Sequence, residues 1–313
     1  MILAITHAGD EHAPLVLRAL EALGADATVL DLSDLPRRGR VVLGYGAGGG
    51  ARELRLEGRP PIDATEITAV WWRRPQPHAA APGLRPEDAA FATRQTGEAV
   101  MGLVASLRGA RFINDPWRDA AAAHKPHQLA AAERAGLPVP RTLVTSDPDA
   151  ARAFLDACGP DGAVHKVLAA GSAALWRPTR RVGRDDLARL ASLPLAPVIF
   201  QERVPGVDVR VTVVGDQLFA ADLDARDTVS PDDFRPVTHL CRVAACELPD
   251  AVAAGLRRLT ADLGLVYGAA DFRRRDDGSW AFLELNPSGQ WGFVEERTGQ
   301  PITSALARLL AGR

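Results

Sequence analysis

Short apolar runs alternate with amphipathic stretches over the first third of the chain. The runs at residues 2–6, 27–30 and 68–72 predict strands. Residues 12–23 and 86–107 place apolar side chains at helical spacing, and a glycine lies just beyond each stretch as a stop signal. Strands that alternate with helices in this way favour an α/β fold.

The remainder of the chain continues this mixture and becomes strand-rich toward its end. We expect an Ala-rich helix over residues 119–135, a helix near 148–157 and a strand over 163–168. Residues 207–213 alternate between valine and polar side chains, which is the period of a strand with one apolar face. A helix over residues 303–310 closes the chain. The order predicts an α/β (α+β) fold with three modest layers in sequence.

Composition narrows the function classes. The chain has 313 residues, of which 47% are hydrophobic and 24% are charged, as in ordinary globular domains. The net charge of −2 argues against a general electrostatic hold on nucleic acid. No apolar run approaches the roughly 20 residues of a spanning helix, and Asp10 and Glu11 argue against a signal peptide. Three cysteines without a CxxC pair indicate a cytoplasmic protein. We expect no nucleic-acid or membrane partner.

Two residue types are almost absent from the chain. Only Lys125 and Lys166 are lysines among 37 basic residues, and asparagine occurs only at Asn114 and Asn286. Arginine replaces lysine well on a solvated surface, but poorly where a compact ammonium group is needed. The two lysines are therefore candidates for contacts with phosphate oxygens. Survival by chance is the alternative.

The sharpest geometric prediction concerns a hairpin near the end of the chain. Asp277 and Gly278 lie between two strand-like runs and predict a two-residue turn. With that turn, Asp271 lies directly opposite Glu284, with their Cβ atoms about 5 Å apart on one face. Asn286 shares this face because side chains alternate along a strand. The side chains expected on the other face, in a core, are Phe272, Leu283 and Leu285.

Two carboxylates and an amide oxygen on one face predict a magnesium site. Carboxylates that lie this close repel each other, and a hard cation removes the repulsion. Magnesium commonly takes one or two carboxylates and fills its shell with water and substrate phosphates. The alternative is a solvated face on which Arg273 or Arg275 is the counter-ion.

The strand over residues 207–213 and the segment before it offer groups for a nucleotide. Residues 196–206 form an apolar strand that ends in a short linker, whose backbone groups could read an adenine edge. Asp208 could accept hydrogen bonds from ribose hydroxyls, and Arg210 could hold a phosphate or carboxylate with its planar fork. An ordinary amphipathic strand is the alternative. Residues 171–172, Gly-Ser, are weak evidence for a flap over the phosphates.

The order of these residues resembles the ATP-grasp ligase superfamily over most of residues 110–313. The resemblance implies three α/β domains at residues 1–110, 111–195 and 196–313, with ATP clamped between the central and C-terminal ones. It also implies a role for each matching position. The implied ligands are Lys125 and Lys166 for the phosphates, Gln201, Glu202 and Val204 for adenine, Asp208 for the ribose, and Asp271, Glu284 and Asn286 for Mg²⁺.

A narrower resemblance covers nearly the whole chain. Its motifs are similar to those of the microviridin-type, or graspetide, peptide ligases, which join Asp or Glu side chains of a ribosomally made precursor peptide to Ser, Thr or Lys side chains. The family commonly has Trp where this chain has Phe234, and Asn where it has Asp115. The matching segments are Trp71–Pro75, Asn114–Trp117, Lys125–Leu129, Val198–Glu202, Asp208–Asp216, Asp233–Arg235 and Glu284–Trp291.

The resemblance implies a mechanism without a protein nucleophile. A substrate carboxylate attacks the γ-phosphate of Mg-ATP, which gives an acyl-phosphate and ADP, and a hydroxyl or amine then displaces phosphate. We expect Arg210 to steady the acyl-phosphate and Arg235 to orient the acceptor carboxylate. Amino-acid ligation onto a protein or small molecule stays open, as does a non-catalytic nucleotide-binding module. The oligomeric state is not fixed, and a homodimer stays open.

Overall fold

The computed structural model describes residues 1–47, 50–169 and 177–313. The chain divides into two compact units, one formed by Met1–Pro116 with Thr303–Arg313 and the other by Trp117–Ile302. In the part of the chain that the structure describes, no helix has the length and apolar character needed to cross a membrane.

The first unit contains a parallel sheet and a small antiparallel sheet. The parallel sheet has the strand order β2-β1-β6-β7, and the antiparallel sheet has the order β3-β4-β5. The elements are β1 (Ile2–Ile5), α1 (Ala13–Ala22), β2 (Ala27–Leu30), β3 (Gly39–Leu43), β4 (Arg52–Leu56), β5 (Ile62–Asp63), β6 (Ala69–Trp72), α2 (Pro86–Ala105) and β7 (Arg111–Ile113).

The core of the first unit explains its apolar runs. Every residue of β1 is buried, as expected for a parallel strand that is covered on both faces. Leu3 and Val70 from the sheet pack in one cluster with Val100 and Leu103 of α2. The predicted strands at 2–6, 27–30 and 68–72 and the two predicted helices are confirmed within one or two residues at each end.

The second unit carries two antiparallel sheets. A four-stranded sheet has the order β10-β9-β11-β8, and a five-stranded sheet has the order β14-β13-β12-β15-β16. The strands are β8 (Thr142–Thr145), β9 (Ala163–Lys166), β10 (Arg180–Arg181), β11 (Val198–Glu202), β12 (Val207–Val214), β13 (Gln217–Asp224), β14 (Arg242–Ala245), β15 (Tyr267–Arg274) and β16 (Trp280–Asn286). The helices are α3 (Pro116–Ala122), α4 (Lys125–Arg134), α5 (Pro148–Asp156), α6 (Arg184–Ala188), α7 (Asp250–Leu263) and α8 (Gly292–Thr298). The last helix of the chain, α9 (Ile302–Ala311), belongs to the first unit from Thr303 onward.

One face of the five-stranded sheet forms the main core of the second unit. Val211 of β12, Phe272 of β15 and Leu285 of β16 pack in one cluster with Leu256 and Leu259 of α7. The alternation predicted along residues 207–213 therefore places its valines in the core. The opposite face carries the polar side chains of the same strands, which come together in the cleft described below.

The Ala-rich helix predicted over residues 119–135 is wrong as a single element. The chain forms α3 and α4 instead, with Ala123 and His124 between them. Pro126 lies in the first turn of α4, where its missing N–H group costs nothing. Inside one continuous helix it could not donate to the carbonyl of Ala122, and its ring would clash with that carbonyl. The break makes Lys125 the first residue of a helix.

The predicted hairpin has the expected pairing at its functional end but a different turn. Arg274 pairs with Trp280, and the amide of Gly278 donates to the carbonyl of Arg275, so the turn has three residues rather than two. Gly278 adopts a φ of +82°, as the last residue of such a turn requires. A bulge between Asp271 and Phe272 then shifts the register.

The bulge restores the predicted pairing of Asp271 with Glu284. Asn286 follows on the same face, as predicted. Phe272 and Leu285 lie in the core, whereas the expectation for Leu283 is wrong. Leu283 is the extra residue of the bulge, and its half-buried side chain lines the cleft.

The division at residues 110 and 195 stays a prediction. The segment β11, which that division assigns to the third domain, pairs with β8 and β9 in the four-stranded sheet. Residues 171–172, the suggested flap, lie outside the described residues.

Candidate nucleotide and metal site

A cavity of about 290 Å³ in the second unit brings together five of the eleven predicted site residues. Its walls come from α4, from β9, from the end of β16 and from the segment around residue 235. Both lysines of the chain face it, together with one carboxylate and two amides. The charged and amide side chains that line it are Lys125, Gln128, Lys166, Arg177, Arg235, Glu284 and Asn286.

A narrow extension of this cavity reaches the polar face of the five-stranded sheet. Both lysines and Arg235 line the extension as well as the cavity. Asp208 of β12 and Asp271 of β15 line only the extension, whereas Glu284 lines both spaces. Glu284 therefore connects the buried carboxylates with the open cavity.

Glu284 is surrounded by cations. Its Oε2 atom lies 2.8 Å from Nζ of Lys125, and its Oε1 atom lies 3.9 Å from a guanidinium nitrogen of Arg235. Burial alone would raise the pKa of Glu284, but the ammonium groups of Lys125 and Lys166 lower this pKa to about 2. The carboxylate is therefore ionised at every physiological pH, which is the state a metal ligand requires.

Lys166 is held by the strand beside it. Its Nζ atom donates to Oε1 of Gln201 at 2.8 Å, and Nε2 of Gln201 donates to Oγ1 of Thr142 at 2.9 Å. Burial lowers the pKa of Lys166 to about 8, although the negative charge of Glu284 opposes this effect. A phosphate group beside this ammonium would favour its charged form.

Arg210 and Asp271 form a buried bidentate pair. Nε of Arg210 lies 2.7 Å from Oδ1 of Asp271, and Nη2 lies 3.2 Å from Oδ2. Nη1 of the same guanidinium donates to the carbonyl of Gln290, and the rings of Phe234 and Phe293 lie 5.3 and 6.0 Å from its Cζ atom. The fork that we expected to be available for a phosphate or carboxylate is thus engaged by the Asp271 carboxylate.

Asp208 also has a fixed partner. Its Oδ2 atom lies 2.8 Å from Nη1 of Arg273, whose Nε donates to the carbonyl of Val204. Arg273 therefore anchors Asp208 and the segment after β11. The alternative interpretation of the β15–β16 hairpin as a solvated face supposed that Arg273 is the counter-ion of its carboxylates. Arg273 pairs with Asp208 instead. Asp271 has only 7% of its surface exposed, so that face is not a solvated one.

The expected adenine segment lines a small space next to Lys166. Gln201, Glu202 and Val204 border it, together with the bulged Leu283. The chain then passes through Gly206, which has a φ of +141°. A Cβ atom at this position would lie 2.1 Å from the carbonyl oxygen of Arg274, so only glycine allows this close passage.

Arg235 is oriented by Asp233, a residue for which we predicted no role. Its Nε and Nη2 atoms each donate to one oxygen of Asp233 at 2.7 Å, and the amide of Thr179 donates to the same carboxylate at 2.8 Å. The spacing of Asp233 and Arg235 was a usable signal. The sequence predicted no role in the site for Thr179, for Leu283, which was expected in the core, or for Gln128, although Gln128 lies in a segment that matches the family. Their places in the site depend on the tertiary fold.

The donor set fits a magnesium ion. Asp271, Glu284 and Asn286 offer the hard oxygen atoms that this ion prefers. Among residues 1–47, 50–169 and 177–313, no group of three or more His, Cys, Asp or Glu residues could hold a metal. A bound ion would therefore use an amide oxygen, water and phosphate oxygens besides the two carboxylates, as magnesium commonly does at nucleotide sites.

The chain is similar to known ATP-grasp proteins. The profile of the MvdD pre-ATP grasp domain matches residues 1–120. The chain is 30% identical to the macrocyclase MdnB from Microcystis aeruginosa MRC, with a TM-score of 0.82 over 99% of this chain and 98% of that one. No curated protein sequence matches the chain.

Two further solved structures resemble the whole chain. The macrocyclase MdnC from Microcystis aeruginosa MRC, bound with precursor peptide MdnA, is 27% identical with a TM-score of 0.87, over 100% of this chain and 99% of that one. The ATP-grasp ligase PsnB, complexed with minimal precursor, Mg and ADP, is 29% identical with a TM-score of 0.79, over 99% and 96%.

Proposed function

The chain belongs to the microviridin-type (graspetide) ATP-grasp macrocyclases, and we propose from this premise that it cross-links a ribosomally made precursor peptide. In the proposed reaction, ATP activates Asp or Glu side chains of the peptide as acyl-phosphates, and the products are ω-ester or ω-amide linkages. The precursor peptide is the partner, and ATP and Mg²⁺ are the required small molecules.

One observation carries the proposal. The only two lysines of the chain line a single cavity with the ionised Glu284 and with Asn286. Lone ammonium groups that converge on a carboxylate and an amide oxygen suit a triphosphate with its metal ion. Arginine, which is abundant elsewhere in the chain, replaces lysine poorly at such points.

We assign each side chain a role on this basis. Asp271, Glu284 and Asn286 would hold the metal ion, which neutralises phosphate charge when it is bound. Lys125 and Lys166 would contact the phosphates. Gln201, Glu202 and Val204 would border the adenine. Asp208 would hold the ribose, or would fix the wall beside the ribose through its ion pair with Arg273.

The chemistry requires positioning more than a protein nucleophile. The peptide carboxylate attacks the γ-phosphorus of ATP, ADP leaves, and an acyl-phosphate forms on the peptide. A hydroxyl or amine of the peptide then attacks the acyl carbon, and phosphate leaves with its bonding electrons. Arg235 lines the cavity, where it would orient the carboxylate. Arg210 fixes Asp271, and the positive charge of its guanidinium group would offset part of the negative charge of the acyl-phosphate.

Two further expectations concern the location of the protein and its oligomeric state. A cytoplasmic location and a homodimer stay predictions from the sequence. Amino-acid ligation onto another molecule uses the same ATP chemistry, but no observation on this chain favours it over peptide cross-linking.

Intact-mass spectrometry tests the proposal. The protein is incubated with ATP, Mg²⁺ and the precursor peptide encoded beside its reading frame. We expect the peptide to lose the mass of one water for each linkage while ADP accumulates. Glu284→Gln should abolish the loss, whereas Asp276→Asn, an exposed change at the tip of the same hairpin, should not. A peptide of unchanged mass, or one that gains an amino acid, would contradict the proposal.

A further inference from the structure

Gln128 is a buried polar residue on α4. The oxygen and the nitrogen of its side-chain amide are both hydrogen-bonded to backbone groups. Only 3% of its surface is exposed. Its Oε1 atom accepts a hydrogen bond from the amide of Leu285 at 2.9 Å, and its Nε2 atom donates to the carbonyl of the same residue at 2.6 Å. The second hydrogen of Nε2 is donated to the carbonyl of Ala122, at the end of α3.

These bonds complete the edge of a sheet. β16 is the last strand of the five-stranded sheet, so every second residue turns its N–H and C=O groups away from β15. Leu285 is such a residue. The Gln128 side chain offers it one donor and one acceptor, as the backbone of a further strand would.

Leu285 lies between two of the side chains that we assign to the metal ion. Its own side chain is in the core, so Glu284 and Asn286 both point to the opposite face, at the cavity. The backbone position of Leu285 therefore sets where the Glu284 carboxylate and the Asn286 amide oxygen lie. Gln128 fixes that position from α4, the helix whose first residue is Lys125.

We propose that Gln128 is a positioning residue for the divalent-metal site, which acts through the backbone of Leu285 and touches neither metal nor substrate. This inference rests on the proposed function, because it takes Glu284 and Asn286 as metal ligands. Groups that orient metal ligands without touching the metal typically change metal affinity by about 10- to 100-fold when they are removed.

The test measures metal binding directly. Mn²⁺ replaces Mg²⁺ as the probe, and its affinity for the full-length protein with ADP is read by electron paramagnetic resonance. We expect Gln128→Met, which has a similar length but no amide, to weaken Mn²⁺ binding by about tenfold or more. We also expect faster hydrogen exchange at the Leu285 amide. Metal-free ADP affinity should change less than about twofold, since Gln128 borders the cavity but its amide is bonded to the backbone of Leu285 and Ala122.

Controls separate this inference from the proposed function. Glu133→Met makes a comparable change on the exposed face of the same helix and should leave Mn²⁺ affinity unchanged. If the wild-type protein binds no Mn²⁺ with ADP, the proposed function fails. If wild-type and Gln128→Met bind Mn²⁺ equally, or if metal-free ADP affinity falls by the same factor, the positioning role fails alone.

A second variant covers the case in which Gln128→Met does not fold. A protonated carboxyl group offers the same donor and acceptor as the amide, so Gln128→Glu should regain the Leu285 contacts when it takes up a proton. Its Mn²⁺ affinity, divided by that of the wild-type protein at each pH, should rise as the pH falls from about 8 to about 6. A ratio that stays constant and below one would overturn the role.

Discussion

The Nζ atom of Lys125 lies 2.8 Å from Oε2 of Glu284, which joins the first residue of α4 to the end of β16 that we propose as a metal site. The ammonium group and a divalent cation are both attracted to this carboxylate. A phosphate group, in contrast, is attracted to the ammonium and to the metal ion. The pair therefore links metal binding and nucleotide binding with opposite signs.

Removal of the Lys125 charge should separate these two effects. In Lys125→Met, Mn²⁺ alone should bind more tightly by several-fold, because its competitor for Glu284 is gone. ATP affinity should fall by about tenfold, because a charge-assisted phosphate contact is lost. Titrations of each ligand alone measure both changes, with Lys125→Arg as the variant that keeps the charge. A parallel loss of both affinities would contradict this arrangement.

The buried ammonium of Lys166 should give nucleotide binding a pH dependence. Burial lowers the pKa of Lys166 from 10.5 to about 8, so the group is charged below pH 8 and neutral above it. ATP affinity should therefore fall above pH 8, by up to about tenfold per pH unit. Lys166→Arg, which stays charged, should show weaker but nearly constant affinity up to pH 9.5. An equally flat wild-type curve would rule out this role for Lys166.

Deprotonation of Lys166 has the opposite effect on folding: it weakens nucleotide binding, but it stabilises the folded protein. Between pH 8 and 10.5 the unfolded chain binds a proton at Lys166 that the folded protein has lost. The free energy that burial of this ammonium costs is therefore relieved as the pH rises through that window.

The Arg210–Asp271 pair should be costly to break. Arg210→Met leaves the Asp271 carboxylate buried without its bidentate partner, so we expect the free energy of unfolding to fall by about 3–5 kcal/mol. The exposed pair of Arg134 and Asp262, with N···O also at 2.7 Å, provides the matched control. Arg134→Met should cost less than about 1 kcal/mol. Urea unfolding measures both, and equal costs would show that the burial of the first pair has no consequence.

Arg235 should affect the peptide more than the nucleotide. It lines the cavity, and Asp233 holds it at both Nε and Nη2. In Arg235→Ala, kcat/KM for the precursor peptide should fall by about 100-fold, as expected when a charged contact to a carboxylate is lost. ADP affinity should change by less than about threefold. Unchanged peptide turnover would end the proposed role of Arg235.

The sequence predicted the composition of the site better than its internal contacts. The scarcity of lysine singled out Lys125 and Lys166, and the alternation of side chains along a strand put Glu284 and Asn286 on one face. Those signals are local or compositional, so they survive without knowledge of the tertiary fold. The pairing of Asp271 with Glu284 also came out as predicted, although the assumed turn was wrong and a bulge compensated for it.

The contacts that the sequence did not predict join residues far apart in the chain. Asp208 was expected to face a ribose, yet its position depends on Arg273, which is 65 residues away. Gln128 and Leu285 are 157 residues apart, and no pattern in either segment marks their hydrogen bonds. The single helix expected over residues 119–135 failed for a local reason, because Pro126 interrupts it.

Transfer of a labelled oxygen atom tests the central claim most directly. The precursor peptide is prepared with heavy oxygen in its Asp and Glu side-chain carboxylates and is incubated with the protein, ATP and Mg²⁺. If the carboxylate attacks the γ-phosphorus, one labelled oxygen leaves with each phosphate that is released. We predict inorganic phosphate that carries one heavy oxygen atom per linkage. Unlabelled phosphate, alongside a peptide that has lost water, would contradict the acyl-phosphate route.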